Sequence, residues 1–217
     1  TLSHAPTPTH GPFINCNDPE SAPCKSPLPR AFSWYNFHGR GMLTKNLNQH
    51  IPQYCAACWA HAAGSMIADR VKIAREANGH NEGPEINVAV QVILNCAKRL
   101  AGTCANGTLH GVFTYANDAN GLPFDTCQNY QAIDDKVCEK TSYCKSCRYD
   151  GFCYGVENFP GYDARGLGIW TNGVPKVVTN EWGYLGRLLG NSPRDLQIEI
   201  IKRGPIACMV DPMPLFD

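Results

Sequence analysis

The stretch NQHIPQYCAACWAHAAG, residues 48–64, gathers Gln49, His50, two cysteines three positions apart, Trp59 and His61. A Cys-x-x-Cys pair supports three chemistries. A redox pair follows a strand in a βαβ unit, and the preceding LNQHIPQY is too polar and Pro-broken for such a strand. A zinc knuckle needs a second pair at matching spacing. The cysteines at 138, 144, 147 and 153 are too cramped to provide one. In the third reading Cys58 opens a helix and Cys55 is tied elsewhere. A thiol at a helix start faces the positive end of the dipole and unpaired backbone N–H groups, which favours the thiolate nucleophile. The Cys58 N–H, with a side-chain donor such as Gln49, could then hold a developing oxyanion. On residues alone, a structural thiol or a disulfide partner stays open. His61 lies three residues on and cannot easily swing back past the helix start, so it reads as packing.

A helix must position Cys58. Apolar or small residues at Trp59, Ala62, Ala63, Met66, Ile67 and Val71 follow helical spacing, and Asn78-Gly79 ends it after about Ala77. A second helix is expected from about Asn87 to Cys96. A third runs from Pro193 to Arg203, with Ser192 as cap and Gly204 beyond the end. GPIACMV (204–210) reads as a short buried strand, RAFSWYNF as extended chain over a core, and 155–191 as short strands and turns. Residues 1–27 hold six of the sixteen prolines and no periodicity, as an extended tail or pro-segment would. Residues 121–154 carry five cysteines among polar residues, so covalent links must hold them.

The chain has 217 residues, zero net charge and 18% charged residues. That leaves no electrostatic footprint for nucleic acid, and no apolar run is long enough to span a membrane. The N-terminal stretch has no apolar signal core, so any secretory signal is expected to have been removed already. Twelve cysteines point to an oxidising compartment and structural disulfides. Asn106-Gly107-Thr108 is an N-glycosylation sequon, in keeping with a secretory route.

Gln49 followed by QYC-x-x-CWAH resembles the active-site stretch of the papain-like cysteine proteases. LPRAFSWYN (28–36), VQVILNC (90–96), TCQNYQAIDDKVC (126–138) and GPIAC (204–208) extend the resemblance over about 28 to 210. His50-Ile51-Pro52 is similar to an insertion that marks a lysosomal carboxypeptidase branch of the family. The resemblance implies an α+β, papain-like two-domain fold. Residues 1–27 would form the pro-segment-like tail, 28–154 the complete helical left domain with a disulfide-rich insertion, and 155–217 the start of a β-rich right domain.

It further implies Cys58 as nucleophile and Gln49 as oxyanion donor. His50 would read a substrate C-terminal carboxylate, which a histidine can meet with a charge-assisted hydrogen bond. Tyr54, Trp59, Asn106 and Gly107 would line the substrate cleft. The implied disulfides are Cys55–Cys104, Cys96–Cys138, Cys127–Cys144 and Cys147–Cys153. In the family's zymogen a pro-segment cysteine bonds the catalytic one, a part open to Cys16 or Cys24, which could instead pair with each other. No metal and no cofactor are implied, and the partners expected are peptide or protein substrates in a lysosomal or secreted setting.

Three departures from the family pattern bear on activity. Gly-Ser before the nucleophile is Ala56-Ala57 here, and an alanine is unwelcome if the loop needs positive φ. The family's Gly-Gly is Asn106-Gly107. The catalytic His and its orienting Asn belong to the family's second half, and none of the histidines at 4, 10, 38, 50, 61, 80 and 110 stands in that context. The base is therefore expected beyond this chain or on a second chain carrying the rest of the right domain. The alternative is a catalytically inactive papain-like protein with a structural or binding role.

Overall fold

A computed structural model describes residues 27–77, 79, 85–117, 121–156, 159–162, 168–171, 176–177, 182–185 and 192–210. The expected tail falls outside these residues except for Pro27, as do Cys16, Cys24, His4, His10 and His80. The described chain is α+β. Its helices are α1 (Cys58–Ala77), α2 (Val90–Cys96), α3 (Leu109–Asn117), α4 (Lys140–Tyr143) and α5 (Pro193–Arg203). Its strands are β1 (Leu122–Pro123), β2 (Lys145–Cys147), β3 (Cys153–Gly155), β4 (Phe159–Tyr162), β5 (Gly168–Thr171) and β6 (Lys176–Val177). They pair antiparallel as β1–β6, β2–β3 and β4–β5.

The core forms where α1, α2 and α3 meet. α1 buries Trp59, Ala60, Ala63, Ile67 and Val71, the stripe its spacing demands. α2 is buried on nearly every side, polar residues included, so those must be paired. Gln91 donates to Asn95 Oδ1 and the Ile133 carbonyl and accepts from the Gln131 N–H, and Asn95 donates to the Ser142 carbonyl. α2 starts at Val90, three residues later than the sequence pattern indicates. The backbone of 87–89 is committed to extended pairing instead: Val88 bridges Phe124, the Ala89 N–H donates to Pro123 O, and Asn87 O accepts from Asp125. α3 escapes the sequence reading altogether. A β-carbon on its Gly111 would stand 2.0 Å from Leu100 O, so the helix lies directly against the 97–101 turn.

A second, smaller cluster joins the two ends of the described chain. Trp34, Met42 and Ile73 pack with Phe32, Phe37, Leu43 and Ile200. Trp34–Asn36 is a 3-10 turn capped by Ser33 rather than extended chain, and it aims the Trp34 indole N–H at Ile200 O, 2.7 Å away. α5 carries the expected cap, with Ser192 and Asp195 forming a reciprocal capping box. Residues 204–210 form no strand, contrary to the sequence reading. Arg70 donates to the carbonyls of Gly204 and Pro205, and the Ala207 N–H faces Met66 Sδ. Side chains of α1 take the hydrogen bonds a neighbouring strand would have used, and Cys208, Met209 and Val210 end exposed.

Candidate active site

Cys58 is the first residue of α1, exposed and not disulfide-bonded. The residues on either side of it, Ala57 and Trp59, are buried. The approach to the helix is fixed covalently and by backbone bonds. Cys55, fully buried, is bonded to Cys104. The Ala56 N–H donates to Cys104 O at 2.9 Å, and Ala57 N–H to Cys55 O at 2.9 Å. Among the described residues the non-glycine residues at positive φ are His38 and Ala132, so Ala56 occupies its place without the strain a left-handed loop would impose.

Gln49 and His50 form a unit against this loop. The His50 ring stacks on exposed Tyr54 with centroids 4.7 Å apart, and its Nδ1 accepts from the Cys55 N–H at 3.4 Å. His50 Nε2 lies 3.2 Å from Gln49 Nε2, and Gln49 Oε1 is buried without a hydrogen-bond partner among the described residues. Tyr130 holds Gln49 from below, its hydroxyl donating to Gln49 O at 2.8 Å, and burial pushes that phenol up to about 12. Sequence reasoning passed over Tyr130, although it stands inside the TCQNYQAIDDKVC stretch.

His61 turns away from Cys58. Its Nδ1–H donates to Ala57 O at 3.0 Å and its ring meets Tyr130 edge-on. Burial holds its pKa below the usual histidine value, the hydrogen bond to Ala57 opposes this, and the neighbouring His50 imidazole adds a smaller lowering. His110 bonds Tyr184, and none of the described histidines makes a hydrogen bond to Cys58. A cavity of about 330 Å³ lined by Lys45, Leu47, His61, Asp125, Gln128 and Tyr130, among others, does not include Cys58.

Trp59 corrects the expectation of a cleft-lining side chain. It is 2% exposed, and Gly107 lies so close that a β-carbon there would meet Trp59 Cε2 at 2.2 Å. The indole supports the site from beneath and offers no face to a substrate. Asn106 is exposed on the loop above it, and its carbonyl accepts from Thr103 N–H at 2.8 Å. The Cys104 N–H donates to Asp134 Oδ2 at 2.6 Å, a second contact that sequence reasoning missed. Among the described residues the other disulfides are Cys96–Cys138, Cys127–Cys144 and Cys147–Cys153. Among the described residues no group of His, Cys, Asp and Glu could hold a metal ion, and no helix is long and apolar enough to cross a membrane.

An exposed thiol opens the long helix α1, with an amide and an imidazole on the loop before it. Residues 28–160 match the papain family cysteine proteases, and the chain belongs to that family. It is 33% identical over 190 residues to cathepsin Z of Onchocerca volvulus, a match covering 88% of this chain and 53% of that protein. The chain thus spans about half the length of this relative. Among solved structures it is similar to a digestive procathepsin L2 proteinase from Tenebrio molitor larval midgut. That likeness has 23% identity and a TM-score of 0.45, over 56% of this chain and 35% of the other.

Proposed function

We propose that the chain is the nucleophile-bearing part of a papain-type thiol carboxypeptidase that removes residues from the C-termini of peptides or proteins. The carrying observation is the exposed, unpaired Cys58 at the start of α1, beside a Gln49–His50 pair anchored to the Cys55 backbone. The Cys58 thiolate attacks the last peptide carbonyl. The Cys58 N–H and the Gln49 NH2 take the oxyanion, and the leaving amino acid departs as the acyl-enzyme forms. His50, exposed on its loop, exchanges its bond with Gln49 for the terminal carboxylate of the substrate. Tyr54, stacked on His50, and the Asn106–Gly107 loop border the substrate.

In this reading residues 28–154 are the left domain and 155–217 begin the right. The imidazole that protonates the leaving amine, with its orienting Asn, comes from further sequence or a second chain. The four disulfides among the described residues support a lysosomal or secreted location.

The test uses the full-length protein and two peptides that differ only in a free or amidated C-terminus. An epoxide warhead is expected to label the wild type and not a Cys58→Ala variant. The free-acid peptide should lose its last residue much faster than the amide, and His50→Ala should shrink that preference by about tenfold, as loss of one charge-assisted hydrogen bond implies. Equal rates on both peptides would remove the carboxypeptidase assignment, and absence of labelling in the reduced, processed protein would remove the peptidase.

A further inference from the structure

We infer that Asn106 is a glycosylation site whose oligosaccharide stands over the rim beside Cys58 and screens the thiol from bulky molecules. The sequon Asn106-Gly107-Thr108 lies in a chain whose four described disulfides mark it as a product of the oxidising secretory route. Asn106 is exposed. The loop carrying it is rigid. Cys104 is bonded to Cys55, its N–H is held by Asp134, its carbonyl by the Ala56 N–H, and the Asn106 carbonyl by the Thr103 N–H. Gly107 rests on the Trp59 indole, and Trp59 directly follows Cys58. A glycan rooted one residue from that contact has its attachment point held in place relative to the start of α1.

In the transfer, Asn106 Nδ2 forms a bond to the anomeric carbon of a lipid-pyrophosphate-linked oligosaccharide. The bond from that carbon to the pyrophosphate oxygen breaks, the lipid pyrophosphate leaves with the electron pair, and the amide nitrogen gives up one proton. The folded structure sets the timing. The Thr108 hydroxyl accepts from the Gly111 N–H at the start of α3, and the Thr108 N–H is bound to Ala101 O. The sequon threonine is thus engaged once α3 has formed, so the sugar is added before this part of the chain closes.

This inference needs only an accessible Cys58 thiol, so its failure is distinguishable from failure of the peptidase reading. The full-length protein, secreted from a eukaryotic host, is digested and the peptide holding Asn106 is analysed by mass spectrometry with and without an amidase that removes N-glycans. The expected result is a glycopeptide in which the amidase, as it releases the sugar, turns the asparagine into an aspartate. That signal should be lost in Asn106→Gln and kept in Thr108→Ser. On the folded protein, the rates of Cys58 alkylation by iodoacetamide and by a maleimide on a large polymer are compared before and after glycosidase trimming. The small reagent reports the thiol itself. The bulky-to-small rate ratio is expected to rise on trimming in the wild type and to be high throughout in Asn106→Gln. An unmodified Asn106 overturns the assignment, and an unchanged ratio on trimming a modified one overturns the screening role.

Discussion

At Gly107 there is no room for a methyl group. A β-carbon would lie 2.2 Å from the Trp59 ring, which is itself sealed under the loop. Gly107→Ala should therefore cost about 2 kcal/mol, as overpacking typically does, measured by urea denaturation and visible as a changed Trp59 emission. His61 makes a different condition, on pH. Its folded-state pKa lies below the ordinary value of 6.5, so the unfolded chain binds the proton more readily. The stability it contributes is complete above about pH 6.5 and declines as acid protonates the unfolded form. His61→Gln should flatten the fall in unfolding free energy between pH 7 and 5, read from denaturant titrations at each pH. The helix start at Cys58 could be read from residue types alone, because small and apolar positions repeat at helical spacing right up to it. The roles of Gly107 and Tyr130 could not, since each depends on a neighbour distant in sequence: Trp59 for one, the Gln49 carbonyl for the other.

The elements show the same division between local and distant causes. α1 and α5 carry their boundaries in their own sequence, through an apolar stripe in one and a capping box in the other. α2 was misjudged at its start because Phe124 and Pro123 claim the preceding backbone, and 204–210 because Arg70 and Met66 claim what a strand would use. Arg70 is the joint between α1 and α5. It donates to Glu199 at 3.0 Å and to the Pro205 and Gly204 carbonyls, and burial lowers its pKa while Glu199 pulls it back up. Glu199→Ala leaves that guanidinium partly buried without its carboxylate. The expected loss is about 3 kcal/mol, in the range for breaking a buried pair. Arg70→Met should cost at least as much, since two carbonyls lose their donor as well; thermal unfolding of both variants checks the order.

Across the whole molecule, the disulfides differ in what surrounds them. Cys147–Cys153 closes the exposed β2–β3 hairpin at a separation of 6 residues, whereas Cys55 is fully buried and bridges a separation of 49. By the loop-entropy relation the longer bridge contributes about 4 kcal/mol. Graded reduction followed by differential alkylation and mass spectrometry should open Cys147–Cys153 first with little change in unfolding midpoint, and Cys55–Cys104 only as the core melts. Simultaneous opening of the two would contradict this order. The number of cysteines announces a cross-linked chain, but only burial ranks the links. The Arg70 joint has one more consequence, and it concerns time. During synthesis α1 leaves the ribosome long before Glu199, Gly204 and Pro205 exist to receive its guanidinium. Until they emerge, the helix that opens on Cys58 holds a cation with no mate. Its docking against α5 then waits for residues 199–205 to be made, a delay that chain order alone imposes.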